Sequence, residues 1–137
     1  MKKATLLGIV FILALALCSC AISPAEKYEN FVNDLDVQTR LQTGLQQMSG
    51  GGMTAYVTAD METLEKDLST LNTQDEQILA INENFINSAR ELQKSTKLLK
   101  TDPDGSFIAY KTAKSCFDAG EKAFYSLDTG HGALTNG

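Results

Sequence analysis

The chain has 137 residues and a formal net charge of −5. Once a leader is set aside, that length suits one domain and not two, and an acid excess disfavours nucleic acid and anionic lipid as nonspecific partners. Trp is absent and proline occurs only at positions 24 and 103, so the long uninterrupted segments rich in Leu, Gln, Glu, Lys and Ala favour helices.

Lys2 and Lys3 precede a nearly continuous apolar run from Ala4 to Leu17, followed by small residues and cysteines. These are the charged, hydrophobic and processing regions of an export signal. The run approaches the ~20 residues that cross a bilayer, so an uncleaved membrane anchor is the alternative to cleavage. Leu17-Cys18-Ser19-Cys20 resembles the lipobox of prokaryotic lipoproteins, with an aliphatic residue three before the modified cysteine and a small one immediately before it. The resemblance implies diacylglycerol on the Cys20 thiol and removal of residues 1–19 as a signal peptide. It implies a lipid-anchored, extracytoplasmic protein of the cell membrane or outer membrane, because two or more acyl chains anchor stably where one is marginal. Ala21 in place of an aspartate resembles the pattern that permits sorting to the outer membrane. Cys18 as acceptor would put bulky Leu17 at the cleavage position. Two thiolates in an apolar leader also lack the further ligands of a closed metal site. Cleavage removes Lys2 and Lys3 and takes the formal charge from −5 to −7.

After a short tether over 20–23, Ser23-Pro24-Ala25-Glu26 combines an N-cap serine, a proline at the first helical position and a glutamate three residues after the cap. Tyr28, Phe31, Val32, Leu35, Leu41, Leu45 and Met48 recur at helical spacing, thinned midway by Gln38, Thr39 and Gln42, until Gly50-Gly51-Gly52. This predicts a first helix over roughly 24–49. Val57, Met61, Leu64, Leu68 and Leu71 step by four and three and predict a second over roughly 54–72. Thr73-Gln74-Asp75-Glu76 reads as a second capping box after a tight turn. Ile78, Ile81, Phe85, Ala89, Leu92, Thr96 and Leu99 carry the third helix. Asp102 and Pro103 cap and open the fourth, where Tyr110, Ala113, Phe117, Gly120, Phe124 and Leu127 form a heptad stripe. Gly130 fits a C-terminal cap, and 130–137 reads as a frayed tail. Short connections make neighbours antiparallel, so the expected fold is an all-α, up-down-up-down antiparallel four-helix bundle over 24–129.

The first capping box begins three residues after Cys20, which would hold the bundle close to the membrane. Glu26, Glu29, Asp34, Asp36, Asp75, Glu76, Glu121 and Asp128 fall toward the near end, and Lys94, Lys97, Lys100, Lys111 and Lys114 toward the far end. Helix dipoles suffice to explain much of that pattern. The functional reading is that these lysines receive an acidic protein partner in the envelope. The second helix is about seven residues shorter than its neighbours, roughly 10 Å, so a groove beside it is the alternative site. Phe107, Tyr110, Phe117, Phe124 and Tyr125 would line it for a small molecule or peptide, although aromatic stripes at heptad spacing are more commonly core.

Catalytic chemistry has little to stand on. His131 is the single histidine, no CxxCH or ExxH occurs, and no phosphate-cradling glycine loop is present. No enzyme activity, metal or cofactor is expected. Cys116 is the one thiol outside the first twenty residues. It reads as a small core residue, or as an intermolecular disulfide joining a homodimer. The expectation is a noncatalytic envelope lipoprotein with a structural or partner-binding role, with a ligand-binding or sensory bundle as the alternative.

Overall fold

The computed structural model describes residues 21–127. The signal segment, Cys18, Cys20, Asp128, Gly130, His131 and the tail lie outside the described residues. Five α-helices follow one another: α1 (Pro24–Asp34), α2 (Val37–Ser49), α3 (Thr54–Leu68), α4 (Glu76–Leu98) and α5 (Pro103–Tyr125). The described residues contain no strand and form a helical bundle.

The single helix expected over 24–49 is corrected to two. Asp36 takes a left-handed backbone with φ 52°, the one such non-glycine residue among those described. Asn33, Asp34 and Asp36 crowd this point, and Asn and Asp are the side chains that tolerate that conformation and compete with helix hydrogen bonds. Arg40 fastens the break. Its guanidinium donates to the Leu35 carbonyl at 3.3 Å and to Asp60 Oδ1 at 2.7 and 3.0 Å, so the released backbone oxygen is paired and α2 is tied to α3.

Tertiary contacts explain why the chain turns here. Leu45 shares a groove with Lys114 and Phe117 of α5. A straight helix running back from Leu45 would carry Tyr28 about 25 Å, whereas Phe124 lies only about 10 Å along α5 from Phe117. The break instead returns Tyr28 onto Phe124, edge-on with ring centroids 6.0 Å apart. Tyr28 is 1% exposed, and its O–H donates to Asn82 Oδ1 at 3.4 Å while Asn82 Nδ2 donates to the final carbonyl of α3, Leu68, at 2.9 Å. Thus α1 folds over the end of the bundle where α3 stops, α4 starts and α5 stops. Asp36→Val is expected to lose about 1–2 kcal/mol because a β-branched residue resists positive φ, whereas Asp36→Gly should lose almost nothing. Urea denaturation checks this: equal losses in both variants would assign the effect to the carboxylate instead.

The caps at Ser23 and Asp102 form as the sequence indicates: Ser23 Oγ accepts from Glu26 N–H and Asp102 Oδ1 from Gly105 N–H. The cap of α4 is corrected by two residues. Asp75, not Thr73, accepts from the Gln77 and Ile78 amides, and Thr73 Oγ1 accepts from Asp75 N–H. Since α3 stops at Leu68, the expected tight turn is a longer link over 69–75.

Small residues set the α4–α5 distance. Ser88 Oγ donates to the Ala113 carbonyl, and Ser95 and Ser106 exchange bonds to each other's carbonyls at 2.9 and 2.8 Å. Rising numbers in α4 meet falling numbers in α5, so the two run antiparallel. Thr58–Thr96 and Glu65–Gln93 contacts set the same relation between α3 and α4. Ser106, Ala113 and Gly120 are one heptad apart on the α5 side, and a Cβ at Gly120 would lie 2.9 Å from Phe85 Cε1. The core joins Val32, Leu41, Met61, Leu64, Ile81, Phe85, Leu92 and Phe117 with Tyr28 and Phe124. At about 25 cal/mol per Å² of apolar area, such burial is the dominant stabilising term.

Candidate functional site

The glycine loop over 50–52 and the start of α5 lie at the end of the bundle opposite α1, as the joint lining of one cavity by Met48, Ser49, Leu99, Pro103 and Phe107 requires. The exposed large apolar residues divide between the two ends. Met53, Tyr56, Leu99, Phe107 and Ile108 belong to the far end, with Met53 and Tyr125 the most exposed at 70%. Ile22, Leu79 and Tyr125 belong to the near end. None falls on the waist between them, where the helices carry polar residues outward.

Read from sequence, Leu99 falls on a buried stripe and Phe107 in the lining of a groove, while Met53, Tyr56 and Ile108 are passed over. Periodicity identifies the face of a helix but not whether a neighbour reaches that level. Here α2 stops at Ser49 and α3 does not begin until Thr54, so the last turn of α4 and the first of α5 extend beyond cover.

The five lysines do not assemble into one patch. Lys97 Nζ faces Glu62 of α3 at 3.5 Å, whereas Lys114 Nζ bonds Asp118 at 2.7 Å on the α5 side that faces α2. Lys94 pairs with Glu91 at 3.7 Å, Lys111 stands over the Phe107 ring at 5.6 Å, and Lys100 makes no ion pair among the described residues. Surface pairs of this kind contribute at most about 1 kcal/mol and are readily exchanged for an external partner. The hydrogen bond to Asp118, then its charge, hold the Lys114 ammonium above its usual range. The charge polarity is also diluted. Lys66 and Lys122 occupy last turns at the near end, and Asp104 sits in a first turn at the far end, as helix dipoles favour.

A concavity of about 450 Å³ does lie beside the short α3, but its walls are Glu62, Glu65, Lys66, Ser69 and Gln93, with none of the expected aromatics. The aromatic groove follows the α2–α5 seam as two joined cavities of about 290 and 320 Å³ that share Ser49 and Tyr110. The far cavity is walled by Met48, Leu99, Pro103 and Phe107, with Ser95 and Ser106 beneath. The other runs between Gln42, Leu45 and Gln46 of α2 and Lys114, Phe117, Asp118 and Glu121 of α5. Gln42, which thins the apolar stripe, therefore faces this seam together with Gln46, two polar side chains where apolar ones would close α2 onto α5. Of the five aromatics expected in a slot, Phe107, Tyr110 and Phe117 line it. Phe124 is instead a core residue between Tyr28 and Phe85, and Tyr125 packs its ring against Phe124 near the surface.

Cys116 is half-buried and joins no disulfide among the described residues. Burial, and after it the Glu91 carboxylate, push its thiol above the usual range, which keeps it protonated at neutral pH and slow in disulfide exchange. Burial likewise pushes the Tyr28 phenol up, so it acts as a neutral hydrogen-bond donor. Among the described residues no group of His, Cys, Asp and Glu could hold a metal ion, and no helix is long and apolar enough to cross a membrane. Comparisons with protein-family models, with curated proteins and with solved structures find no match.

Proposed function

We propose that this chain is the precursor of a lipid-anchored envelope lipoprotein. In this reading its bundle plays a noncatalytic role, binding a protein partner through the end remote from the anchor. Residues 1–19 are removed, Cys20 carries the acyl chains, and α2–α5 stand as an up-down-up-down four-helix unit with α1 across the membrane-facing end. The observation that carries this reading is the confinement of exposed large apolar side chains to the two ends. Aromatic and aliphatic residues left in water at a rigid helix end are the raw material of an interface core. Ile22 and Tyr125 at the near end suit the headgroup level beside a lipid anchor. At the far end, Lys111 stands over the exposed Phe107 ring and Lys100 makes no ion pair among the described residues, a composition that fits an acidic partner surface with apolar anchors.

The test is site-specific photocrosslinking in intact cells. Crosslinkers at Tyr56 and Phe107 should give a discrete protein adduct that one at Ser115, on the waist, does not. The adduct should be lost when Met53 and Ile108 are changed to Ser, both being exposed enough for the fold to tolerate it. Adducts of equal yield from the waist, or none from the far end, would contradict the reading.

A second reading is favoured by one feature, the aromatic-lined α2–α5 groove: the bundle binds a small ligand there. Together the two cavities fall in the size range of small-molecule sites.

A further inference from the structure

The two halves of the α2–α5 groove differ in chemistry, and the difference selects a ligand. The far half has no charged group in its wall and is lined mainly by Met48, Leu99, Pro103 and Phe107. The near half holds one ammonium, Lys114, and two carboxylates, Asp118 and Glu121. Lys114 is bonded to Asp118 at 2.7 Å. Glu121, half-buried, makes no ion pair or side-chain hydrogen bond among the described residues and lies on the same wall as Phe117 and Tyr110. An unpaired carboxylate one turn from an aromatic ring, here Phe117, is complementary to an organic cation through charge and through the negative face of the ring. From Phe107 to Glu121 the groove extends along α5 for about 21 Å at 1.5 Å per residue, long enough for an apolar body and a separate head.

We infer that the α2–α5 groove binds a cationic amphiphile, its apolar body between Phe107, Leu99 and Met48 and passing Tyr110, and its ammonium at Glu121 against Phe117. This rests on the second reading above and is independent of what docks at the far end. An anionic amphiphile of the same shape would meet two carboxylates, Asp118 and Glu121, against the single ammonium of Lys114. A neutral one would gain the apolar contacts alone.

Calorimetry on the full chain in zwitterionic nanodiscs, with empty nanodiscs subtracted, tests this using three probes that share one body long enough to span the groove: 10-phenyldecyl-trimethylammonium, 10-phenyldecane sulfonate and 10-phenyldecanol. The cation should bind about tenfold more tightly than the alcohol, and the sulfonate more weakly than either. Glu121→Gln, an isosteric change on a partly exposed helix face, should bring the cation to the affinity of the alcohol and leave the alcohol unchanged. Gln46→Trp, which fills the groove from α2, should abolish binding of both, with thermal midpoints of both variants near that of the parent. Equal binding of all three probes would overturn the cation assignment while leaving a groove that takes ligands. No binding of any probe would overturn the assignment and the groove reading together, and cation binding indifferent to Glu121→Gln would place the cation elsewhere.

Discussion

Truncating Phe85 to alanine is expected to lower the unfolding free energy by about 3–5 kcal/mol, the usual loss for a large buried ring whose neighbours cannot collapse into the space. Phe85 is 0% exposed. Its ring meets Phe124 edge-on at 6.3 Å, and Phe124 in turn holds Tyr28, so the cavity would open beneath α1 as well as between α4 and α5. Gly120 gives the prediction its sharper form. A Cβ there would stand 2.9 Å from Phe85 Cε1 and 3.2 Å from Asn84 Cβ. Gly120→Ala alone should therefore destabilise by about 1–2 kcal/mol, although alanine is the better helix former by about 1 kcal/mol. In the Phe85→Ala background the obstructing ring is gone and the same substitution should recover stability. Urea titration of the four proteins in the cycle reads the coupling. Additive losses would mean that the α4–α5 approach is not set by this pair.

Much of this was legible beforehand because local chemistry dictates it. Ser23-Pro24 and Asp102-Pro103 announce helix starts whatever surrounds them. The stripes through Val57, Met61, Leu64 and Leu68, and through Ile78, Ile81, Phe85, Ala89 and Leu92, are buried along their whole length. Even the heptad of Ser106, Ala113 and Gly120 marks a close helix contact in retrospect. The break at Asp36 was not legible in the same way. Three Asn or Asp residues within 33–36 are a local hint, but a helix can absorb them. What turns the chain is the distance from Leu45 back to Tyr28 compared with the end of α5, a tertiary quantity. The α4 cap slipped for a related reason: Thr73 and Asp75 both offer capping oxygens, and the path of the link from α3 chooses between them.

The site was less legible than the fold. The far-end lysines could be named from sequence, but not that Lys97 and Lys114 face different neighbours. At the far end Leu99 was read into a buried stripe that in fact runs past the reach of α2, and Met53, Tyr56 and Ile108 belong to no stripe at all. The aromatic groove was anticipated beside the short α3, where the concavity is lined by polar side chains instead. On the α2–α5 seam it is Gln42 and Gln46 of α2 that face the aromatics of α5. Gln38 Nε2 is buried without a partner, a sign of how little that face is built for dry packing.

The largest effect expected of any substitution concerns the anchor. In the lipoprotein class that Leu17-Cys18-Ser19-Cys20 resembles, acylation of the cysteine precedes removal of the leader, so Cys20→Ser should block both steps. The variant should accumulate as an unmodified precursor that retains residues 1–19, an all-or-none change rather than a shift in rate. Cys18→Ser should be processed like the parent, because position 18 is the variable one. Both positions lie outside the described residues 21–127 that form the bundle. Any loss of partner crosslinking at Tyr56 or Phe107 in the Cys20→Ser protein would therefore report on placement at the membrane, not on folding.

The intact mass of the protein purified from membranes, with fragmentation of its N-terminal peptide, tests this most directly. The predicted result is a chain beginning at Cys20 that carries two or more acyl groups, and a Cys20→Ser protein beginning at Met1 with none. A parent chain that keeps residues 1–19 with an unmodified Cys20, or acyl groups on Cys18, would contradict it.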